Sequence, residues 1–124
     1  MGKRILVVDD DERVLFVFYQ ALSKPDRGYE IETAQSGSEA LEKAKARPFD
    51  LLITDLQMPG VDGPALTGAV KAHSPRTVVV WMTTYGCRGA VARQAKRLQV
   101  HRCLDKPVEV SEIRRVAEEA LAQS

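Results

Sequence analysis

The sequence has few cysteines and almost no net charge. Its two cysteines, Cys87 and Cys103, are too few for a disulfide framework and form no C-x-x-C pair. We therefore expect two unreactive free thiols and a reducing compartment. The 18 Lys and Arg residues are balanced by 17 Asp and Glu, so there is no global attraction to nucleic acid or to an anionic membrane.

Long hydrophobic runs are also lacking. No apolar stretch approaches the roughly 20 residues that span a bilayer, so no membrane association is expected. Lys3 and Arg4 are followed by only four apolar residues before Asp9, which is too short for a secretory signal. We expect a cytoplasmic protein and, since no linker or repeat divides the sequence, a single domain over residues 1–124.

Five short apolar runs are present, and each leads into polar residues. They are Ile5–Val8, Tyr29–Ala34, Leu51–Ile53, Val78–Met82 and Cys103–Leu104. Three of them are continuous rather than alternating, which is typical of strands buried on both faces of a parallel sheet. The predicted fold is an α/β domain with a doubly wound, five-stranded parallel sheet and helices on both faces.

Helical patterns separate these runs. Apolar residues recur at the helical period from Val14 to Leu22 and from Ile113 to Leu121. Ser36 to Glu39 forms a capping box ahead of a third helix, and two more are predicted over Ala65–His73 and Gly89–Leu98. Strands and helices therefore alternate along the chain.

Chemically distinctive residues follow four different strands. Asp9, Asp10 and Asp11 follow the first, Asp55 the third, Thr83 the fourth and Lys106 the fifth. Ligands of open α/β sheets bind outside the carboxyl ends of the strands, and the strand order 2-1-3-4-5 brings these four ends to one crevice. Clustered carboxylates repel unless a cation or proton joins them.

These residue types suit phosphoryl transfer assisted by a metal ion. Hard oxygen ligands favour Mg²⁺, or Mn²⁺ in its place, and a carboxylate can accept a phosphoryl group. Such a reaction needs mainly positioning and charge neutralisation. Asp9, Asp10, Thr83 and Lys106 around Asp55 would supply the metal ligands, a hydroxyl donor and an ammonium group.

Four segments resemble those of the CheY-like receiver domains of response regulators. They are Ile5–Asp10, Thr54–Gly63, Met82–Gly86 and Leu104–Pro107. The resemblance extends over essentially the whole chain, in order, and implies a receiver domain of a two-component phosphorelay. It would accept a phosphoryl group from a sensor histidine kinase or a phosphotransfer protein, and would be a signalling domain that promotes its own phosphorylation and dephosphorylation rather than a true enzyme.

The resemblance also assigns roles to individual residues. Asp55 would be the phosphoacceptor, Lys106 would contact the phosphoryl group, and Thr83 would move toward it. With Asp55 itself, Asp10 would bind the metal directly and Asp9 mainly through water, and the backbone carbonyl of Gln57 would complete the ligand set. The Lys106–Pro107 bond is expected to be cis.

Four positions depart from the family pattern. Cys103 stands where many receivers carry an aromatic residue that couples to the threonine. Gln99 and Val100 replace a usual Gly-Ala pair, and Thr84 replaces a small residue after the threonine. Phosphorylation is therefore expected, whereas signal propagation through an aromatic side chain is not.

Simpler interpretations apply to several of these residues. Asp11 is expected to be a helix cap rather than a ligand, and Trp81 and Met82 are expected to lie in the core. His73 and His101 are expected at the surface, and Gln57 and Tyr85 beside the site.

The partners are less constrained by the sequence. Arg93, Lys96 and Arg97 share one face of the fourth helix, either as a solvated face or as a docking surface for a downstream protein or effector domain. Direct contact with nucleic acid is not expected. The domain is expected to be a monomer before phosphorylation, with dimerisation afterwards left open.

Two alternatives come from other classes. One is a receiver-like interaction module that is not phosphorylated. The other is an enzyme on the same architecture. An aspartate-based phosphohydrolase would carry a second acid where Gln57 stands, and a flavodoxin would not place three acids at its phosphate loop.

Overall fold

The computed structural model describes residues 2–123 and contains one parallel sheet flanked by helices. The strands are β1 (Arg4–Val8), β2 (Glu30–Ala34), β3 (Leu51–Asp55), β4 (Val78–Thr83) and β5 (Arg102–Asp105). The helices are α1 (Glu12–Leu22), α2 (Gly37–Ala46), α3 (Gly63–His73), α4 (Ala90–Arg97) and α5 (Val110–Leu121). All four strand pairings are parallel and the order is β2-β1-β3-β4-β5. The predicted fold class and strand order are confirmed, although Met1 and Ser124, the ends of the predicted domain, lie outside the described residues.

The central strands are buried on both faces because their side chains alternate between two cores. Ile5 and Val7 of β1 face a core formed with α1 and α5. Leu6 and Val8 face the opposite core, formed with α2 and α3. This explains the continuous apolar runs in the sequence, since a strand covered on both sides has no solvent-facing position for a polar residue. Trp81 and Met82 are fully buried, as predicted.

The helix ends follow local capping chemistry. Asp11 caps α1 by accepting a hydrogen bond from the backbone N–H of Arg13, which confirms its predicted role. Ser36 accepts from the N–H of Glu39 at the start of α2. Asp62 caps α3, which begins two residues earlier than predicted because Pro64 fits the first turn.

Helix α4 is the least integrated of the five. All eight of its residues are described, and none of them is buried. Arg93, Lys96 and Arg97 are all exposed, in agreement with their predicted position on one face. Gln99, just beyond the helix, adopts φ +59°, the left-handed conformation that glycine adopts without strain.

Two sequence predictions need correction here. Cys87 and Cys103 are joined by a disulfide, with Cα atoms 5.8 Å apart, and are therefore not the free thiols predicted. The pairing arises because the loop after β4 returns beside β5, a tertiary contact that a separation of 16 residues in the sequence does not reveal. His101 is half-buried rather than a surface residue, whereas His73 is exposed as expected.

No described helix combines the length and the apolar character needed to traverse a bilayer.

Candidate functional site

The carboxyl ends of the strands place three acids together. Asp9 follows β1 and is fully buried, Asp10 is exposed beside it, and Asp55 is the last residue of β3. Each offers a carboxylate oxygen, and these three oxygens lie within 4.8 Å of one another. The strand order brings β1 and β3 side by side, so the cluster follows directly from the topology.

Lys106 supplies the positive charge next to this cluster. Its Nζ lies 2.6 Å from Oδ2 of Asp9 and 3.3 Å from Oδ1 of Asp55. The lysine is positioned by its own backbone N–H, which donates to the carbonyl of Thr83 at 2.9 Å. The Lys106–Pro107 peptide bond is cis, as predicted. The ammonium of a lysine that follows β5, two strands away from β3, is therefore fixed between two carboxylates.

The electrostatics of this pair reflect burial and mutual attraction. Burial raises the pKa of the Asp9 carboxyl despite the opposing hydrogen bond from Lys106. Burial by itself lowers the pKa of Lys106, but its hydrogen bond to Asp9 and the charges of Asp9 and Asp55 outweigh this effect and raise it overall. The three carboxylates carry more negative charge than the single ammonium of Lys106 can neutralise, so the cluster can attract a further cation.

Thr83 ends β4 and is buried beside the cluster. Its Oγ1 accepts a hydrogen bond from the backbone N–H of Tyr85 at 3.0 Å, which leaves the hydroxyl proton available to another acceptor. Thr84 and Tyr85 themselves are exposed. The threonine is therefore attached to the loop that follows β4.

The loop after Asp55 is shaped by a close approach at Gly63. A Cβ atom at this position would lie 2.7 Å from the carbonyl oxygen of Asp55, so only glycine allows α3 to begin here. Gln57 lies in this loop with an exposed side chain. Its carbonyl stays a predicted backbone ligand of the metal.

One buried hydrogen-bond chain was missed by the sequence reasoning. The indole N–H of Trp81 donates to Oγ1 of Thr67 at 2.8 Å, and the Thr67 hydroxyl donates to the carbonyl of Gly63 at 2.8 Å. This links β4 to the first turn of α3, beside the loop that follows Asp55. A lone tryptophan within an apolar run signals burial, but nothing in the sequence identifies the partner of its N–H group.

Known proteins share this sequence pattern and fold. The family model described as the response regulator receiver domain matches residues 5–118. The transcriptional regulatory protein ZraR of Escherichia coli O157:H7 is 36% identical over 120 residues, which cover 97% of this chain and 26% of that protein. The DNA-binding transcriptional regulator NtrC of Escherichia coli K12 is 32% identical over 118 residues, covering 95% of this chain and 24% of its own length.

Solved structures agree with these matches. The chemotaxis protein CheY4 of Vibrio cholerae superposes with a TM-score of 0.88 at 29% identity, covering 98% of this chain and 100% of its own. A CheY-like receiver domain protein of Methanospirillum hungatei gives 0.88 at 27% identity, covering 99% and 97%. The chain thus spans about a quarter of the length of the curated regulators it matches and nearly all of these structures.

Proposed function

This chain belongs to the response regulator receiver domain family, and from this premise we propose that Asp55 is its phosphoacceptor. The observation that carries the proposal is the convergence of Asp9, Asp10, Asp55 and Lys106 at one sheet edge. One of the Asp55 carboxylate oxygens would form a bond to phosphorus. The phosphorus–nitrogen bond of a donor phosphohistidine would break, and the imidazole would leave with a proton.

The acidic cluster fits a divalent metal ion. Receiver domains bind Mg²⁺ at an acidic pocket, and three carboxylate oxygens within 4.8 Å provide hard ligands for such an ion in this chain. We propose Asp10 and Asp55 as direct side-chain ligands, Asp9 as a ligand mainly through water, and the carbonyl of Gln57 as a backbone ligand. When bound, Mg²⁺ or Mn²⁺ would neutralise the negative charge that carboxylates and phosphoryl oxygens share.

The protein residues supply the remaining stabilisation. Lys106 is close enough to Asp55 to pair with a phosphoryl oxygen, which would compete with Asp9 for the ammonium. Thr83 would donate its hydroxyl proton to a second oxygen while still accepting from Tyr85. These contacts form only after phosphorylation, so they would favour one conformation of the loop after β4. The domain would thereby promote its own phosphorylation and dephosphorylation without acting on an external substrate.

An apolar surface beside the site supports a protein as the phosphodonor. Val14, Val17, Phe18 and Val108 line a groove that reaches Lys106 and Thr84, and Phe16 on the same helix is 64% exposed. A helix carrying a phosphohistidine could pack in this groove and present its phosphoryl group to Asp55. The donor would be a sensor histidine kinase or a phosphotransfer protein.

The output surface is proposed on the exposed basic face of α4. Arg93, Lys96 and Arg97 are exposed on α4, and α4 follows the loop that begins directly after Thr83. A change at Thr83 would therefore alter this basic face, to which an acidic surface of a downstream protein or effector domain could bind. Charge reversal of Arg93 and Lys96 should weaken that binding while leaving phosphorylation unchanged.

The proposed phosphoacceptor is tested by incubation with acetyl phosphate and Mg²⁺ and by intact mass. One phosphoryl adduct that requires Mg²⁺ is expected in the wild type and in Asp62→Asn, which replaces an exposed acid outside the cluster by another capping residue. Asp55→Asn should give no adduct. An adduct that persists in Asp55→Asn would assign the chemistry to another residue. Failure of the wild type to bind either acetyl phosphate or beryllofluoride would favour the interaction module that is not phosphorylated.

A further inference from the structure

The disulfide joins the two segments that carry the proposed switch residues. Cys87 lies in the loop between β4 and α4, four residues after Thr83, and Cys103 lies in β5, three residues before Lys106. Trp81 pairs with Cys103 and Thr83 with Asp105 across the two strands. The bond therefore lies next to the phosphorylation site without belonging to it.

The crosslink and one backbone hydrogen bond hold both ends of residues 83–87. At one end, the Thr83 carbonyl accepts a hydrogen bond from the N–H of Lys106 at 2.9 Å. At the other end, Cys87 is bonded to β5. Between them lies Tyr85, whose N–H donates to the Thr83 hydroxyl. Both ends of residues 83–87 are thus held to the same strand, and movement of Thr83 requires this segment to adjust.

Beyond this point the chain is restrained mainly by partial packing, since Val91 and Ala95 of α4 contact the core without being buried. Gly86 and Gly89 flank Cys87 with φ values of +93° and +60°. Gly89 begins α4 without a side-chain cap, and α4, all of it described, contributes no buried residue to the core. Without the disulfide, motion of the loop between β4 and α4 would be opposed mainly by this partial packing of α4.

The surroundings favour thiol–disulfide exchange. Cys87 and Cys103 are both partly exposed. Arg88 and Arg102 are their sequence neighbours, and residues 84–104 contain five Lys or Arg and no Asp or Glu. Arg102 pairs with Glu119 from α5, on the opposite face of β5 from Cys103, which packs against the other core, so its charge does not act on the sulfur. Positive charge near a cysteine favours its thiolate, the attacking and departing species in exchange, and Arg88 brings such a charge to the segment that contains Cys87, whereas Cys103 packs against the apolar core.

We propose that Cys87 and Cys103 form a reversible redox-modification site that controls how readily the loop after β4 responds to phosphorylation of Asp55. The proposal rests on the proposed function of Asp55. Its oxidant is a small-molecule disulfide of the glutathione type, and its reductant is a dithiol.

The exchange proceeds in two balanced steps. A thiolate of one cysteine attacks a sulfur of the glutathione disulfide, whose sulfur–sulfur bond breaks and releases one thiolate. The second cysteine, after losing its proton, attacks the mixed disulfide, forms the Cys87–Cys103 bond and releases the other thiolate. The protein loses two electrons and two protons, and the oxidant becomes two thiols. A dithiol reverses both steps.

The oxidised domain should respond less readily to phosphorylation of Asp55 than the reduced domain does. Since the crosslink opposes the rearrangement that Thr83 must make, we expect beryllofluoride with Mg²⁺ to bind the oxidised form at least about fivefold more weakly. Coupling between two sites is reciprocal. Bound beryllofluoride should therefore favour reduction by the same factor in the glutathione redox equilibrium.

The test uses wild-type protein oxidised by glutathione disulfide or reduced by a phosphine. Alkylation and intact mass count the thiols, and Trp81 fluorescence follows beryllofluoride titration in the presence of Mg²⁺. The expected result is no free thiol and weaker binding after oxidation, and two thiols and tighter binding after reduction. The double variant Cys87→Ser, Cys103→Ser can form neither the crosslink nor a mixed disulfide with glutathione, and it should bind as the reduced form does under either condition.

Three results would overturn the proposal, and they are distinguishable. Two alkylatable thiols after treatment with glutathione disulfide would exclude the modification site. A reversible disulfide with equal beryllofluoride affinity in both forms would exclude the coupling to Asp55. Absence of both beryllofluoride binding and phosphorylation in the two forms would remove the proposed function and the coupling with it, while the thiol count would still report on the cysteines alone.

Discussion

Lys106 contacts Asp9 more closely than it contacts the proposed phosphoacceptor, with Nζ–O distances of 2.6 Å and 3.3 Å. In the resting domain the lysine therefore mainly compensates a buried acid. The same ammonium must turn toward the phosphoryl group when Asp55 is modified. Because one ammonium serves both purposes, its loss should affect the two kinds of binding in opposite directions. Binding of a metal ion should become stronger, and binding of a phosphoryl group should become weaker.

Replacing Lys106 by Met should separate these two properties. The substitution removes a cation that competes with Mg²⁺ for Asp9 and Asp55, so Mg²⁺ should bind severalfold more tightly. Beryllofluoride loses a charge-assisted hydrogen bond worth about 1.5–3 kcal/mol, which corresponds to an affinity about 10- to 100-fold lower. Trp81 fluorescence can follow both titrations. Weaker Mg²⁺ binding in Lys106→Met would indicate that the lysine organises the acids rather than competing for them.

Asp10 should destabilise the metal-free domain. Its carboxylate lies within 4.8 Å of those of Asp9 and Asp55, and Lys106 contacts only the latter two. Asp10→Asn removes this repulsion, so its melting temperature without Mg²⁺ should exceed that of the wild type. At Mg²⁺ concentrations tenfold above Kd the wild type should gain about 1.4 kcal/mol, and Asp10→Asn should gain much less. Glu12→Gln, at an exposed acid of α1, serves as the control and should keep the full Mg²⁺ response.

The hydrogen bond between Trp81 and Thr67 should contribute to stability, because it gives the buried indole N–H an acceptor. Thr67→Val preserves the shape of the side chain but leaves the indole N–H without its acceptor and the Gly63 carbonyl without its donor. We expect a loss of about 1–3 kcal/mol in the free energy of unfolding, measured by urea denaturation. Thr67→Ser keeps the hydroxyl and should lose less. Equal losses for Val and Ser would attribute the effect to packing of the methyl group instead.

The sequence was sufficient to predict the fold and the cluster of acids, because both depend on periodic patterns. Continuous apolar runs such as Ile5–Val8 fix a parallel sheet, and polar residues at the strand ends converge once the strand order is known. The Cys87–Cys103 bond and the Trp81–Thr67 contact could not be predicted in this way. Each depends on how a loop or a helix packs on a neighbouring strand. The number of residues between two positions does not reveal how far apart they lie in the folded domain.

The sequence shows that Gln99 stands where related domains usually carry glycine. The physical consequence of this difference is seen only in the backbone conformation of the residue. The residue adopts φ +59° at the end of α4, where the N–H of Val100 donates to the carbonyl of Ala95 at 2.8 Å. This is the left-handed position at which glycine usually ends a helix. Gln99 is therefore strained, because its Cβ atom disfavours the left-handed conformation, whereas a glycine at this position would not be strained.

Replacing Gln99 by Gly should consequently stabilise the domain. Relief of the left-handed backbone is worth about 1–2 kcal/mol, and the greater entropy of glycine in the unfolded chain offsets about 0.5–1 kcal/mol of it. The expected net gain is about 0.5–1 kcal/mol, measured by urea denaturation under oxidising conditions so that the disulfide remains intact. Gln94→Gly inside α4 is the matched control and should lose about 1 kcal/mol, because its backbone is already helical. If both substitutions destabilised the domain equally, the left-handed conformation at residue 99 would not be the source of strain.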